Sequence, residues 1–389
     1  MAGIYIHIPF CASFCRYCSF YSERCTDAAV MARYVDALLR EIAAANPQVL
    51  FASHFQTLYI GGGTPSLLPV EQLERIVAAV RQKLFPKISL AEFTLEANPD
   101  DVSPEKLAAW RRLGVNRLSL GVQSFNDAHL RWMRRRHTAA QAENAVRMAR
   151  EAGFDNISLD LIFGFAGLTD EAWTESIDRA LTLRPEHLSC YQMSIEEGST
   201  LGDEAAAGAY APPAQETCAR QYALLQQRVA AAGYLQYEIS NFALPGRESQ
   251  HNSAYWRREP YLGFGPGAHS YDGNRTRRWN CSDLETYLAR FSSESHAVEA
   301  PVGVSEGPRS LDFETLSDRD LANEQVMLSL RTAAGLDLDS LAPAHREALS
   351  PTLEKMLADG RLEPVPGQFV RIPADRLFVS DAIISELFV

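Results

Sequence analysis

Short hydrophobic runs alternate with longer segments in which apolar residues recur at helical spacing through the first half of the chain. Six of the short runs have the pattern of strands: Ile4 to Pro9, Thr57 to Gly61, Glu92 to Ala97, Arg117 to Val122, Asn156 to Gly164 and His187 to Met193. Right-handed crossovers return each strand beside its predecessor, so this alternation predicts an α/β fold with a parallel sheet, either open or curved into a barrel.

The segments between these runs carry helix start and stop signals. Val30 to Ile42 places apolar residues four apart, which predicts one apolar face packed on a sheet. Thr138 and Gln141 are spaced as a capping box, and Gly114 and Gly153 each close a predicted helix. The distinctive polar residues lie mostly at the carboxyl ends of strands, where ligands bind in both sheet architectures.

The pattern changes toward the carboxyl end of the chain. Residues 292–318 turn polar and rich in Ser, Pro, Glu and Gly, which predicts a linker between a domain over residues 1–291 and a small domain over residues 319–389. The small domain should hold helices near 318–331 and 342–359, followed by a hairpin around Pro366-Gly367. Such a unit would be α+β and similar to a winged helix.

Composition and charge exclude several classes of protein. The chain has 389 residues, 46% hydrophobic and 22% charged, as in a soluble protein with a large core. Its net charge of -12 argues against nucleic-acid binding. No apolar stretch reaches the roughly 18 residues of a transmembrane segment, and no basic region precedes an apolar core as in a secretory signal. We therefore expect a cytoplasmic protein, with peripheral membrane contact left open.

Three of the seven cysteines, Cys11, Cys15 and Cys18, lie within eight residues directly after the first predicted strand. This CxxxCxxC spacing lets a short loop aim three thiolates at three corners of one small body. A 4Fe-4S cluster held by three thiolates keeps one iron open to an outside ligand, where catalysis becomes feasible. The alternative is zinc, with His7 completing a Cys3His set. The spacing favours the iron–sulfur cluster over zinc.

The cysteine segment resembles the signature of the radical S-adenosylmethionine (SAM) superfamily, CxxxCxΦC, in which Φ is aromatic and is filled here by Tyr17. The resemblance implies a partial (β/α)6 barrel and a 4Fe-4S cluster on Cys11, Cys15 and Cys18. It further implies that SAM chelates the open iron, and that an external electron donor reduces the cluster.

The same resemblance implies SAM contacts at successive strand ends. Glycine backbone in the motif at residues 61–65 can approach a ligand closely, and this motif is implied to bind the methionine end. Glu96 suits an ammonium or hydroxyl group, Arg135 the methionine carboxylate, and Asp160 the ribose hydroxyls. The implied SAM contacts are Tyr5, Tyr17, Gly62, Gly63, Thr64, Glu96, Gln123, Arg135 and Asp160.

Within the superfamily, the resemblance narrows to the group of oxygen-independent coproporphyrinogen III oxidases and HemW-type heme chaperones. The motifs that carry it are YIHIPFC (5–11), GGGTPS (61–66), LEANP (95–99), GVQSF (121–125) and DLIFG (160–164). Two departures from the oxidase pattern favour the chaperone branch. Phe20 stands where the oxidase has a further cysteine, and the chain reaches Cys11 without the oxidase's N-terminal arm.

Residues 251–256 match the HNxxYW signature of the chaperone branch. The match implies that His251 is an axial ligand of heme iron, with Tyr255 and Trp256 flanking the macrocycle. His269, in the segment GPGAHS, is a second candidate ligand.

The expected function is that of a heme chaperone that binds a 4Fe-4S cluster, SAM and heme, and transfers heme to acceptor apoproteins. The first alternative is an oxygen-independent coproporphyrinogen III oxidase, a SAM-dependent enzyme of radical oxidative decarboxylation in porphyrin biosynthesis. A second alternative, radical-SAM heme ring opening, would use the same ligands but consume heme.

Overall fold

The structure is a computed structural model that describes residues 2–45, 55–84, 90–292 and 311–389. Residues group into two units. The first comprises Met1–Asp160, Ser194–Ala211 and Pro260–Glu314, and the second comprises Leu161–Met193, Pro212–Glu259 and Thr315–Val389. Most of the predicted linker lies outside the described residues, so the predicted domain boundaries stay a prediction.

All six predicted strands are present, and their ends differ from the predicted ones by at most two residues. The strands of the described residues are β1 (Ala2–Ile8), β2 (Phe10–Cys11), β3 (Glu23–Arg24), β4 (Phe55–Gly62), β5 (Glu92–Ala97), β6 (Arg117–Gln123), β7 (Ile157–Phe163), β8 (His187–Gln192), β9 (Leu235–Gln236), β10 (Asn241–Ala243), β11 (Tyr261–Phe264), β12 (His269–Tyr271), β13 (Thr276–Asn280), β14 (Leu311–Thr315), β15 (Leu336–Asp337), β16 (Glu363–Val365) and β17 (Phe369–Arg371).

The α-helices alternate with these strands through most of the chain. Those of the described residues are α1 (Ala28–Ala44), α2 (Val70–Leu84), α3 (Pro104–Leu113), α4 (Asp127–Trp132), α5 (Ala139–Glu151), α6 (Asp170–Thr182), α7 (Thr200–Ala206), α8 (Gln215–Ala231), α9 (Gln250–Trp256), α10 (Leu284–Arg290), α11 (Asp318–Leu330), α12 (Pro343–Ala358) and α13 (Ser380–Ser385). None of them combines the length and the hydropathy that a transmembrane segment requires.

The first unit is built on a sheet in which β14, β13, β12, β11, β1, β4, β5 and β6 are successive neighbours. The run from β11 to β6 is parallel, as the alternation of strands and helices predicts. Side chains alternate between the faces, so Tyr5 and His7 share one face, with Tyr59 of β4 opposite Tyr5. On the other face Ile4 and Ile6 are fully buried. The sheet therefore has an apolar face and a face that carries polar chemistry.

The second unit holds the antiparallel strands β8, β10 and β9 and a separate sheet in the order β15-β17-β16. The two predicted C-terminal helices are present as α11 and α12, and β16 pairs with β17 as the predicted hairpin. Gly367 in the turn has φ +91°, a left-handed conformation that glycine adopts without steric cost. The C-terminal residues thus form the α+β arrangement that the sequence predicts.

Local sequence signals explain where the helices of the first unit begin and end. The side chain of Ser103 accepts a hydrogen bond from the N–H of Lys106 at the start of α3, and Gly114 ends that helix with φ +90°. At the start of α5, Thr138 Oγ1 accepts from the N–H of Gln141 at 3.3 Å, and Gln141 Oε1 accepts from the N–H of Thr138 at 2.8 Å. The predicted capping box is therefore confirmed.

We expect Thr138→Ala to lower the free energy of unfolding by about 1 kcal/mol, because an N–H group of the first turn of α5 loses its acceptor. Urea denaturation measures the change. Thr138→Ser keeps the hydroxyl and should behave like the wild type. Equal losses in the two variants would show that the hydroxyl does not cap this helix.

Candidate functional site

The cysteines lie on a closed loop, residues 11–25, which we call the cysteine loop. It leaves the sheet after β1, and the short parallel pair β2 and β3 brings its two ends together. The N–H of Cys25 donates to the carbonyl of Cys11 at 3.0 Å, and the N–H of Glu23 donates to the carbonyl of Pro9 at 2.5 Å. Cys15 and Cys18 therefore lie on a loop whose base is held by backbone hydrogen bonds.

The three thiols lie close enough to interact electrostatically with one another. Burial raises the pKa of Cys11, although hydrogen bonds to Thr64 and Ser22 partly oppose this. Burial also raises the pKa of Cys18, to about 11. Thiols with raised pKa values are protonated at neutral pH, so forming the thiolates that bind metal requires a compensating positive charge.

His7 does not complete a zinc site in this structure. Its Nε2 lies 2.9 Å from the carbonyl oxygen of Tyr21, and its Nδ1 lies 3.0 Å from the hydroxyl of Tyr5. Both ring nitrogens are thus already engaged. Among the described residues, no three His, Cys, Asp or Glu side chains converge tightly enough to hold a single ion.

The tautomer of His7 follows from its partners. A carbonyl oxygen only accepts hydrogen bonds, so Nε2 carries the proton and Nδ1 accepts from the hydroxyl of Tyr5. Burial lowers the pKa of His7 and keeps the ring neutral. The hydroxyl proton of Tyr5 therefore points to His7, and its oxygen can offer only lone pairs to a ligand.

The glycine motif brings the end of β4 against the cysteine loop. A Cβ atom on Gly63 would lie 2.8 Å from the carbonyl oxygen of Phe10 and 3.1 Å from Cys11 Sγ. Gly62 has φ +113°, and a Cβ atom there would lie 2.8 Å from the ring of His7. The sequence predicts that these glycines allow close approach to a ligand, and the structure adds that they allow close approach to the protein's own groups. Thr64 Oγ1 then lies 3.4 Å from Cys11 Sγ.

Glu96, at the end of β5, is half-buried, and its carboxyl group has two partners. It accepts from the hydroxyl of Tyr59 at 2.7 Å and from the N–H of Gly62 at 3.1 Å. Burial raises its pKa to about 7, and the nearby Asp160 adds to the shift. Asp160 in turn accepts from the hydroxyl of Ser119 at 3.2 Å. Near neutral pH Glu96 can therefore gain or lose a proton when a charged ligand binds.

Arg135 contacts the cysteine loop directly. Its Nη1 donates to Cys15 Sγ at 3.2 Å, and its Nη2 donates to Asn98 Oδ1 at 2.5 Å and to the carbonyl of Gly121 at 2.6 Å. Its Nε is buried and has no partner among the described residues. Burial opposes the charge of Arg135, but the side chains of Tyr17 and Cys15 outweigh this effect and raise its pKa. Arg135 thus supplies positive charge beside the thiols. Because Nη1 and Nη2 already donate to protein atoms, the guanidinium group is not arranged in advance for a bidentate pair with a ligand carboxylate.

Gln123 lies at the end of β6 with φ +67°, a left-handed conformation that is uncommon for a residue with a side chain. A Cβ atom on Gly121 would lie 3.0 Å from Gln123 Nε2 and 3.1 Å from Arg135 Nη2. The missing side chain of Gly121 therefore lets the amide of Gln123 and the guanidinium group of Arg135 lie side by side.

The HNxxYW segment forms most of α9 in the second unit, where Ser249 caps the helix. His251 is only 2% exposed. Its Nε2 lies 2.9 Å from the hydroxyl of Tyr255, and the two rings meet edge to face at 5.1 Å. The indole nitrogen of Trp256 is buried without a partner among the described residues. One ring nitrogen of His251, the predicted heme ligand, is thus hydrogen bonded to a neighbouring side chain.

His269 belongs to the first unit and differs from His251 in its surroundings. It lies in β12, with its ring stacked on that of Trp279 at 5.4 Å. Partial burial, together with the charge of Arg277, lowers its pKa and favours the neutral imidazole, the form that binds metals. His269 is the more exposed of the two candidate heme ligands.

Apart from His251 and its neighbours Tyr255 and Trp256, every site residue predicted from the sequence lies in the first unit. Tyr17 is half-buried, close enough to Cys15 and Arg135 for electrostatic interaction. Sequence reasoning missed Asn98 and Tyr59, which bind Arg135 and Glu96. Asn98 lies inside the quoted motif LEANP, and Tyr59 precedes the glycine motif on the same face of β4, so both could have been found from strand alternation.

Comparison with known proteins shows the family of this chain. Residues 5–180 match the model of the radical SAM superfamily. The heme chaperone HemW of Bacillus subtilis is 36% identical to this chain over 359 residues, which cover 92% of this chain and 91% of that protein. The chain belongs to the HemW family. HemW of Mycobacterium tuberculosis is 35% identical over 387 residues, covering 99% of this chain and 94% of that protein.

The fold of this HemW-family chain also matches a solved structure. Coproporphyrinogen III oxidase (HemN) from Escherichia coli, a radical SAM enzyme, superposes with a TM-score of 0.79 at 24% identity, covering 100% of this chain and 90% of that one. The radical SAM fold predicted from the sequence is therefore confirmed. Membership of the superfamily implies a 4Fe-4S cluster and SAM.

Gly63→Ala should reduce the iron that the protein retains by more than half, because the new methyl group would collide with the backbone of Phe10 and crowd Cys11. Iron and sulfide per chain after anaerobic reconstitution measure the effect. Gly233→Ala is a control for backbone strain alone, since its φ is +86° and nothing lies within 4 Å of the added atom, and it should keep its iron. Full iron content in Gly63→Ala would contradict the steric argument.

Proposed function

We propose that this protein is a heme chaperone that holds a 4Fe-4S cluster and SAM in its first unit, binds heme, and transfers heme to acceptor apoproteins. The observation that carries the proposal is the similarity to proteins named heme chaperone HemW over nearly the whole chain, at 35–36% identity. The convergence of the predicted cofactor residues in one unit supports it. An external electron donor completes the proposed set of partners.

In this proposal Cys11, Cys15 and Cys18 bind the cluster. When bound, the cluster and SAM supply one-electron chemistry that side chains cannot supply. Arg135 donates a hydrogen bond to Cys15, and its charge favours the thiolate forms of Cys11 and Cys18. Glu96 has a pKa of about 7, and its ionised carboxylate is suited to accept a hydrogen bond from the ammonium group of SAM. The remaining proposed SAM contacts are Tyr5, Tyr17, Gly62, Gly63, Thr64, Gln123, Arg135 and Asp160.

We propose His251 as the heme ligand, with Tyr255 and Trp256 beside it. Because Nε2 of His251 is hydrogen bonded to Tyr255, binding iron through this nitrogen requires the tyrosine hydroxyl to move away. The ring must also become accessible, since the side chain is buried. His269 stays the second candidate heme ligand, because its side chain is more exposed than that of His251.

His251→Ala should weaken heme binding at least tenfold, since the protein loses its axial ligand. Tyr255→Phe should strengthen binding severalfold, because heme no longer displaces a hydrogen bond worth about 1 kcal/mol. Titration of the purified protein with hemin, followed by the Soret absorption, measures both. His269→Ala should bind heme like the wild type. Weak binding by His269→Ala together with normal binding by His251→Ala would move the assignment to His269.

The alternative function is oxidative decarboxylation of coproporphyrinogen III, which the motifs shared with the oxidase group favour. Phe20 argues against it, because this position is a cysteine in the oxidase pattern. An anaerobic assay with SAM, a reductant and coproporphyrinogen III should give no protoporphyrinogen IX. In parallel, heme-loaded protein should transfer heme to an apocytochrome. Decarboxylated product without heme transfer would overturn the chaperone proposal.

A further inference from the structure

Arg16 lies between two of the cysteines and contacts two distant segments of the first unit. Its N–H donates to the carbonyl of Met133 at 3.1 Å, and its carbonyl accepts from the N–H of Leu201 at 2.8 Å. Both backbone polar groups of this loop residue are therefore used to attach the cysteine loop, one to the end of α4 and the other to the start of α7.

The side chain of Arg16 binds the same two segments. Its Nε donates to Glu204 Oε2 at 2.7 Å, and its Nη2 donates to the same oxygen. The guanidinium group also lies over the ring of Trp132, 4.7 Å from the ring centre. The arginine and its carboxylate partner are about a fifth to a quarter exposed, so solvent screens this pair less than a fully exposed ion pair. A cation over an indole face and a charged hydrogen bond add to the backbone attachment.

Residues 194–211 are bound to the rest of the first unit by further contacts. Arg134 Nη1 donates to Thr200 Oγ1 at 3.3 Å, and the rings of Trp132 and Tyr210 lie 6.0 Å apart. Part of this segment belongs to a stretch rich in Ala, Pro and Gly, residues 202–213, which by its sequence only interrupts the alternation of strands and helices. In the structure, the short helix α7 within the segment contributes both Leu201 and Glu204 to the contact with Arg16.

Two arginines near the thiols thus have different charge partners. Arg135 donates to a cysteine sulfur, whereas the charge of Arg16 is balanced by Glu204. Arg16 is therefore not needed to compensate thiolate charge. Its contacts instead restrict the backbone between Cys15 and Cys18. A loop with many conformations would lose more entropy when its three cysteines are fixed around one cluster.

We propose that Arg16, Trp132 and Glu204 form a latch that orders the cysteine loop before the cluster binds and slows cluster loss afterwards. The proposal rests on the proposed function in taking Cys11, Cys15 and Cys18 as cluster ligands. Arg16 is a positioning residue, because it acts through the loop that carries the cysteines. An ordered loop loses less conformational freedom on binding, so it holds the same cluster more tightly.

The test compares Glu204→Gln, Arg16→Gln and the double variant with the wild type. Asp203→Asn is the matched control, since it removes the same charge from the neighbouring, exposed position of α7. The first measurement uses metal-free protein and follows hydrogen exchange at the amides of Arg16 and Leu201. We expect about tenfold faster exchange at both amides in the latch variants, with α5 unchanged as an internal control for folding.

The second measurement follows the decay of cluster absorbance in the presence of an iron chelator. We expect about tenfold faster decay in Glu204→Gln and Arg16→Gln, no further increase in the double variant, and wild-type decay in Asp203→Asn. Wild-type exchange and wild-type decay in Glu204→Gln would overturn the latch. Faster exchange in a protein that never takes up a cluster would support the ordering of the cysteine loop by the latch, but it would reject the proposed cluster. Failure of the latch and failure of the proposed function therefore give different results.

Discussion

The close contact between the glycine motif and the cysteine loop is the constraint on which the rest of the site depends. Gly62 and Gly63 occupy positions where any side chain would collide with His7, Phe10 or Cys11. Because this contact is made without side chains, β4 can end directly against the loop. Glu96 then reaches the N–H of Gly62, which links the glycine motif to the next strand. Displacing either glycine would therefore disturb the thiols and the buried carboxyl group together.

Charge is compensated locally in this site. Burial of Cys11, Cys18 and Glu96 opposes their ionised forms, and the cationic side chain of Arg135 contacts the sulfur of Cys15. The neutral His7 adds no charge; it holds the carbonyl of Tyr21 and the hydroxyl of Tyr5 in place. In the proposed function, the positive charge of SAM would favour the ionised form of Glu96, and Arg135 would oppose the negative charge of the thiolates.

The fold could be predicted well because its signals are local. Strand alternation, the capping box at Thr138 and the glycine stop at Gly114 each depend on a few neighbouring residues, and all are present in the structure. The pairing of Arg135 with Cys15 joins residues 120 positions apart, and it depends on how β6 and its following loop meet the cysteine loop. Spacing along the chain contains no such information.

The candidate site was predictable to the extent that motifs mark strand ends. The thiols, the glycine motif and Glu96 lie at or just after strand ends, as the motifs predict, and their roles stay a prediction. Hydrogen-bond partners such as Asn98 and Tyr59 were not predicted. The burial of His251 is a further limit, because a motif match gives residue identity but not exposure. Residues 194–211 show the same limit, since a composition-biased stretch gave no sign that it contacts Arg16.

The hydrogen bond between His251 and Tyr255 has a consequence for release. In the proposed function, where His251 binds heme iron, the hydroxyl of Tyr255 would compete for the imidazole nitrogen and shorten the time for which iron stays bound. A storage protein would gain from removing such a competitor. For a protein proposed to transfer heme to an acceptor, a side chain that competes for the same nitrogen makes release easier.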